Sequence, residues 1–209
     1  MRRLRKILLL AILLPSAAAT LAAQRAIPSG AIGAGVLSFE GHATVGDFTG
    51  TTSTVTGEMT GGTDLSAVRG WVEAPVKSLE TGNGKRDKDL NKSMESGKYP
   101  VIRFDLTGVV PGAARGDTVD VTLLGTFLIH GVSRADSIMA TVLLLPEGVR
   151  VQGKAPLDLS DYKIGGLSKA LGMLKVSEAI LIRLDLTFAT RPMLGAAMSS
   201  GWPRAARIS

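Results

Sequence analysis

The sequence predicts an all-β fold, an antiparallel sandwich or barrel, and three observations carry that prediction. Eight or so short segments alternate apolar and polar residues at a period of two. Turn-forming residues separate them at short spacing. Only two stretches break the pattern with residues at helical spacing.

In chain order, Val36–Phe39 and Phe48–Met59 are β-branched, Thr-rich and Gly-rich, and Gly61–Gly62 supplies a turn between hairpin strands. Next, Val68, Gly70, Val72, Ala74 and Val76 alternate with Arg69, Trp71 and Glu73. The stretch from Gly84 to Pro100 (GKRDKDLNKSMESGKYP) is charged, places Leu90 and Met94 four apart and carries Gly97 and Pro100 as stop signals, so it predicts a short helix. Ile102, Phe104 and Leu106 then alternate with Arg103, Asp105 and Thr107. Val119, Val121 and Leu123 alternate with Asp120 and Thr122, and a phase shift at Leu123–Leu124 predicts a bulge or bend. Further strands span Ser137–Leu145 and Val149–Leu159. Between Gly165 and Glu178, Leu167, Ala170, Leu171 and Leu174 fit a short amphipathic turn or helix. The last strand is the clearest, with Ile180, Ile182, Leu184, Leu186 and Phe188 on one face and Arg183, Asp185 and Thr187 on the other.

The chain has 209 residues, long enough for one domain with an adequate core and no staples. It contains no cysteine, which excludes thiol nucleophiles, thiolate zinc sites, iron–sulfur clusters and lipoprotein anchoring. The formal charge of +6 sits at the ends. Arg2, Arg3, Arg5 and Lys6 precede the apolar run Leu8–Leu14 and a small-residue zone ending at Ala23, the pattern of a secretory signal peptide over residues 1–23. Cleavage after Ala19, Ala22 or Ala23 fits, with Ala22 or Ala23 favoured, and no stable membrane anchor is expected thereafter. The uncharged stretch from Ile7 to Ala23, 17 residues broken by Pro15, is marginal for a membrane span. The last residues, 191–209, read as a flexible tail with Arg191, Arg204 and Arg207 and no acid. What remains, Gln24–Thr190, carries a charge of −1, which speaks against nucleic acid as a partner.

The search for catalytic chemistry is negative. His42 and His130 are the two histidines, each beside glycine at an apparent turn, and no further ligand stands at metal-binding spacing. Neither a nucleophile elbow nor a phosphate or dinucleotide loop is present. Asp87 and Asp89 lie among Lys85, Arg86, Lys88 and Lys92 and read as solvated helix charges. The expectation is a non-enzyme without cofactor or metal. An eight-stranded barrel is either filled by its own side chains or holds one small ligand, so the absence of catalytic motifs favours binding. A lining of Val, Ile, Leu, Ala and Met, with aromatics at 4% of the chain, suits a slender apolar molecule.

The segment Ser78–Phe104 resembles the most recognisable block of the YceI-like family of lipid or polyisoprenoid-binding proteins, through Ser78, Thr81, Asn83, Arg86, Asp87, Leu90, Tyr99, Pro100 and Phe104. Phe48 and Gly50 resemble the Phe-x-Gly of that family's first hairpin. Gly125, Leu128, Gly131 and Val132 resemble a later hairpin, and the run from Asp161 to Phe188 its closing loop and last strand. The resemblance spans about residues 35–190. It implies an extended, lipocalin-like eight-stranded antiparallel β-barrel over residues 31–190, with a short helix in one loop. It implies an exported protein, periplasmic or extracellular, that holds a long apolar or amphiphilic lipid of the isoprenoid or quinone class. The first strand departs from the family's His-Leu-Gly pattern, reading Gly41-His42-Ala43-Thr44-Val45-Gly46. Arg86 and Asp87 fit equally a ligand role and a salt-bridged helix start that locks the loop to the barrel. The expected pocket is formed by Phe104, Leu106, Val121, Leu123, Ile180, Ile182 and Leu184, the inward faces of the clearest strands; a slip of one residue would invert that set. The stretch Leu167–Leu174 would cover the mouth. The alternative is a non-enzymatic envelope module with a filled core, and a homodimer is compatible with either reading.

Overall fold

A computed structural model describes residues 26–44, 46–165 and 176–190. The expected signal peptide, the tail and the stretch Leu167–Leu174 lie outside the described residues.

Among the described residues nine strands form one antiparallel sheet: β1 (Gly30–Ala43), β2 (Gly46–Thr52), β3 (Thr56–Thr60), β4 (Arg69–Pro75), β5 (Val101–Arg115), β6 (Thr118–Ile129), β7 (Val132–Leu145), β8 (Gly148–Asp158) and β9 (Val176–Thr190). Sequential neighbours pair from β3 to β9, and β9 closes onto β1, from Gly30↔Thr190 to Ala43↔Val176. β2 and β3 both pair with β1, and β3 continues the register that β2 sets, Leu37↔Thr52 leading to Ala31↔Glu58. They are one stave of the wall interrupted at Ser53–Val55, where a single strand was expected, so the closed barrel counts eight staves. β9 pairing with β1 joins the two sides of the sheet, and β2, which pairs only with β1, meets the following loop through the Thr51–Glu80 bridge; that closure ties the chain ends of a cysteine-free barrel together without a cross-link.

Alternation decides what points inward. On β6, Val121, Leu123, Gly125, Phe127 and Ile129 are all buried, while Leu124 is exposed. The pairing is unbroken on that strand, so the phase shift expected at Leu123–Leu124 is absent. The irregularity lies on its neighbour: Leu106 pairs Gly125 and Gly108 pairs Leu124, leaving Thr107 as the extra residue. Its hydroxyl donates to the Leu124 carbonyl at 3.2 Å, which anchors the bulge. Two adjacent leucines in a sequence cannot show that the extra residue belongs to the partner strand. Gly125 is required by close approach, since a Cβ there would overlap the Phe104 ring and the Asp105 carbonyl.

The β6–β7 hairpin turns in two residues, His130 (φ 52°) and Gly131 (φ 71°), the pair of positive φ values that matches strand twist. The link between β3 and β4 is wider than the turn expected at Gly61–Gly62: Gly62 bridges back to Ile27, and a 3-10 turn, Leu65–Ala67, capped by Asp64, follows. The helix, α1 (Gly84–Ser93), is shorter than Gly84–Pro100. Asn83 caps it by accepting from the N–H groups of Lys85 and Arg86, both at 3.1 Å. The reversal at its end is made by Glu95 (φ 45°) instead of Gly97.

Candidate functional site

The interior of the barrel holds a cavity of about 200 Å³ lined almost wholly by apolar atoms. A single water needs about 10–15 Å³ and two to four polar partners, so this space exceeds one water many times over and offers water little to bond to. An apolar guest is what such a lining accepts.

Each strand contributes through its inward face. Phe104 and Leu106 come from β5, Leu123 from β6, and Ile180, Ile182 and Leu184 from β9, and all six line the cavity. Val121 is buried too, at 5% exposure, but it sits in the wall behind a shallow groove on the outer face and does not line the cavity. Phe104 and Phe127 lie with ring centroids 4.6 Å apart and make the one aromatic contact within the lining among the described residues.

The sequence reading missed both ends and the far wall. Val149, Val151 and Leu157 of β8 line the cavity, and their alternation was visible. One end is plugged by Ile27, Met59 and Val68, all buried. Ile27 stands outside every strand, and only its bridge to Gly62 brings it there. At the other end Leu90 and Met94 of α1, with Leu79, Leu159 and Ile164, reach the cavity. The spacing of Leu90 and Met94 marks an apolar helix face but not its partner.

That second end is organised by polar contacts. Asp87 Oδ1 accepts from the Thr81 backbone N–H at 2.9 Å and from its hydroxyl at 2.6 Å. Arg86 lies over the Phe48 ring at 4.4 Å, and Phe48 packs edge-on against Phe39 of β1. The lock expected from Arg86 and Asp87 is therefore present without a salt bridge: the carboxylate ties the helix to its own leading loop, and the guanidinium ties it to β2. His130 Nδ1–H donates to the Tyr162 carbonyl at 3.0 Å, and its ring meets Tyr99 at 4.6 Å. Burial pushes the Tyr162 hydroxyl up to about 12. His130 thus joins the β6–β7 turn to the 3-10 turn Leu159–Tyr162 and to the segment entering β5.

His42 lies at the β1–β2 hairpin end, exposed, with Nδ1 at 2.7 Å from Asp47 Oδ1. Among the described residues no group of three or more His, Asp or Glu is placed to hold a metal ion, and no helix is long and apolar enough to cross a membrane.

Two solved structures share this architecture. BcnA from Burkholderia cenocepacia is 15% identical, with a TM-score of 0.62 over 73% of this chain and 95% of its own. A polyisoprenoid binding domain from Saccharophagus degradans, implicated in plant cell wall breakdown, is 17% identical, with a TM-score of 0.65 over 79% of this chain and 99% of its own. No curated protein matches. The model of the YceI-like domain matches residues 34–188, the barrel from β1 to β9. A match over most of the chain, on a closed barrel with an apolar bore, places this protein in the YceI-like family.

Proposed function

We propose that this protein binds one long apolar or amphiphilic lipid, of the isoprenoid or quinone class, along the inside of the barrel. The observation that carries this reading is the cavity, which runs from Ile27 and Met59 at one end to Leu90 and Met94 at the other with an apolar lining throughout. Membership of a family of binding proteins supports it, as does the likeness to a barrel described as binding polyisoprenoid. A module with a filled core is the less favoured reading, because its interior would be closed. The part taken by Phe104, Leu106, Leu123, Ile180, Ile182 and Leu184 is to sheath the chain, excluding water from it. The proposal includes export, with residues 1–23 as the leader and the barrel working in the periplasm or outside the cell.

Solvent extraction of the purified protein followed by lipid mass spectrometry tests the reading. The expected result is a stoichiometric isoprenoid or quinone-class lipid. Leu184→Trp, which projects a larger ring into the bore, is expected to abolish its retention. Because space is available there, stability should fall by less than the about 1–3 kcal/mol that overpacking a solid core costs. A lipid-free protein in which Leu184→Trp carries the full overpacking penalty would overturn the proposal.

A further inference from the structure

The ion pairs of the described surface are unevenly distributed. On the barrel wall Arg103, Arg115, Arg150 and Arg183 each meet a carboxylate at 2.6–2.7 Å. Lys154 of β8 meets none among the described residues, and α1 carries three such lysines together. Lys85, Lys88 and Lys92 are exposed and meet no carboxylate within ion-pair distance among the described residues. They stand at i, i+3 and i+7, which puts them on one face of the helix. Of the two acids on α1, Asp87 turns away to accept from Thr81, and Asp89, half-buried, stands at i+4 from Lys85 beside the stripe, so that face keeps an excess of positive charge. The opposite face of the same helix sends Leu90 to the end of the cavity. A stripe of three lysines with a net positive charge therefore lies over one end of an apolar bore.

That juxtaposition matters because of how a long apolar lipid travels. Each CH₂ adds about 0.8 kcal/mol to its preference for a bilayer over water, so exchange through solution is negligible and the loading end has to reach the bilayer. The cavity itself offers almost no polar surface to a headgroup. We propose that Lys85, Lys88 and Lys92 form a docking face for a bilayer surface carrying anionic headgroups, holding the α1 end of the barrel against it while the apolar chain passes. This inference rests on the lipid-binding reading above. Three lysines give reversible docking: at roughly fivefold per cation near an anionic surface, they enrich binding by about a hundredfold, and salt weakens it over a Debye length of about 8 Å. An apolar carrier that must leave the membrane again needs an attachment of that size.

The test is co-sedimentation of the protein, in the form recovered from cells, with vesicles of pure phosphatidylcholine and of phosphatidylcholine with phosphatidylglycerol. The expected result is binding to the anionic vesicles only. Lys85→Gln/Lys88→Gln/Lys92→Gln should weaken it by about two orders of magnitude, and the matching Lys→Arg triple should retain it. Arg191→Gln/Arg204→Gln/Arg207→Gln, which neutralises the tail, should bind as the parent does. Uptake of a fluorescent polyene fatty acid from dilute solution should be the same in all four proteins, which separates a failed dock from a failed cavity. Equal binding by the Lys→Gln triple, loss of binding only in the tail variant, or equal affinity for neutral vesicles would each overturn the docking face and leave the cavity reading standing.

Discussion

Inside the barrel, Phe104 and Phe127 meet ring to ring at 4.6 Å, and Ile138, Leu186 and Val149 are 1–2% exposed. At the α1 end, a carboxylate holds a threonine, a guanidinium covers a phenylalanine, and an imidazole donates to a carbonyl. The interior is held by contact area, which is non-directional and tolerates exchange among apolar residues of similar volume. The end is held by a few directional bonds, each depending on one pair of atoms. The two regions should therefore fail differently, the wall by graded loss of stability and the cap by release of a single element.

The largest effect is expected from a buried aromatic ring of the cavity lining. Phe127→Ala removes a buried ring that also contacts Phe104, and should cost about 3–5 kcal/mol, measured by urea unfolding. A loss below about 1 kcal/mol would mean the bore is held open by the backbone alone. Asp87→Ala strips both Thr81 hydrogen bonds and should cost about 1–3 kcal/mol. Its signature is local: amide exchange should quicken in Gly84–Ser93 ahead of β5 to β9. Uniform acceleration across the sheet would erase the distinction between wall and cap.

The smallest effect is electrostatic and belongs to the outer wall. Hydrogen bonds from the Arg150 guanidinium, and then from Gln152, hold the Asp185 carboxyl below its usual range. A depressed carboxylate stabilises the fold above its unfolded value of about 3.9 and loses that contribution as pH falls through the lower folded value. The pair is part-exposed, so its contribution stays under about 1 kcal/mol. Asp185→Asn should flatten the stability profile below about pH 4 by that amount and leave it unchanged near neutrality beyond the loss of the pair itself.

Legibility in the sequence followed the same division. β9 was readable from Ile180 to Phe188, because a strand with one wet face and one dry face writes its orientation in the period of two. The six inward residues that line the cavity came from strands of this kind. Ile27, Leu79 and Ile164 could not be found this way, since each lies in irregular chain whose partners are distant in sequence.

By itself the sequence determined most of the strands, the inward faces of most of them and the β6–β7 turn, all of which rest on local periodicity and local backbone preference. Only the tertiary structure decided that β2 and β3 act as one stave, that the bulge sits at Thr107, that Val121 belongs to the wall and that the bore is hollow. Those are properties of how faces meet across strands far apart in the chain. A row of Val, Leu and Ile has the same composition whether the opposite row touches it or stands a lipid's width away.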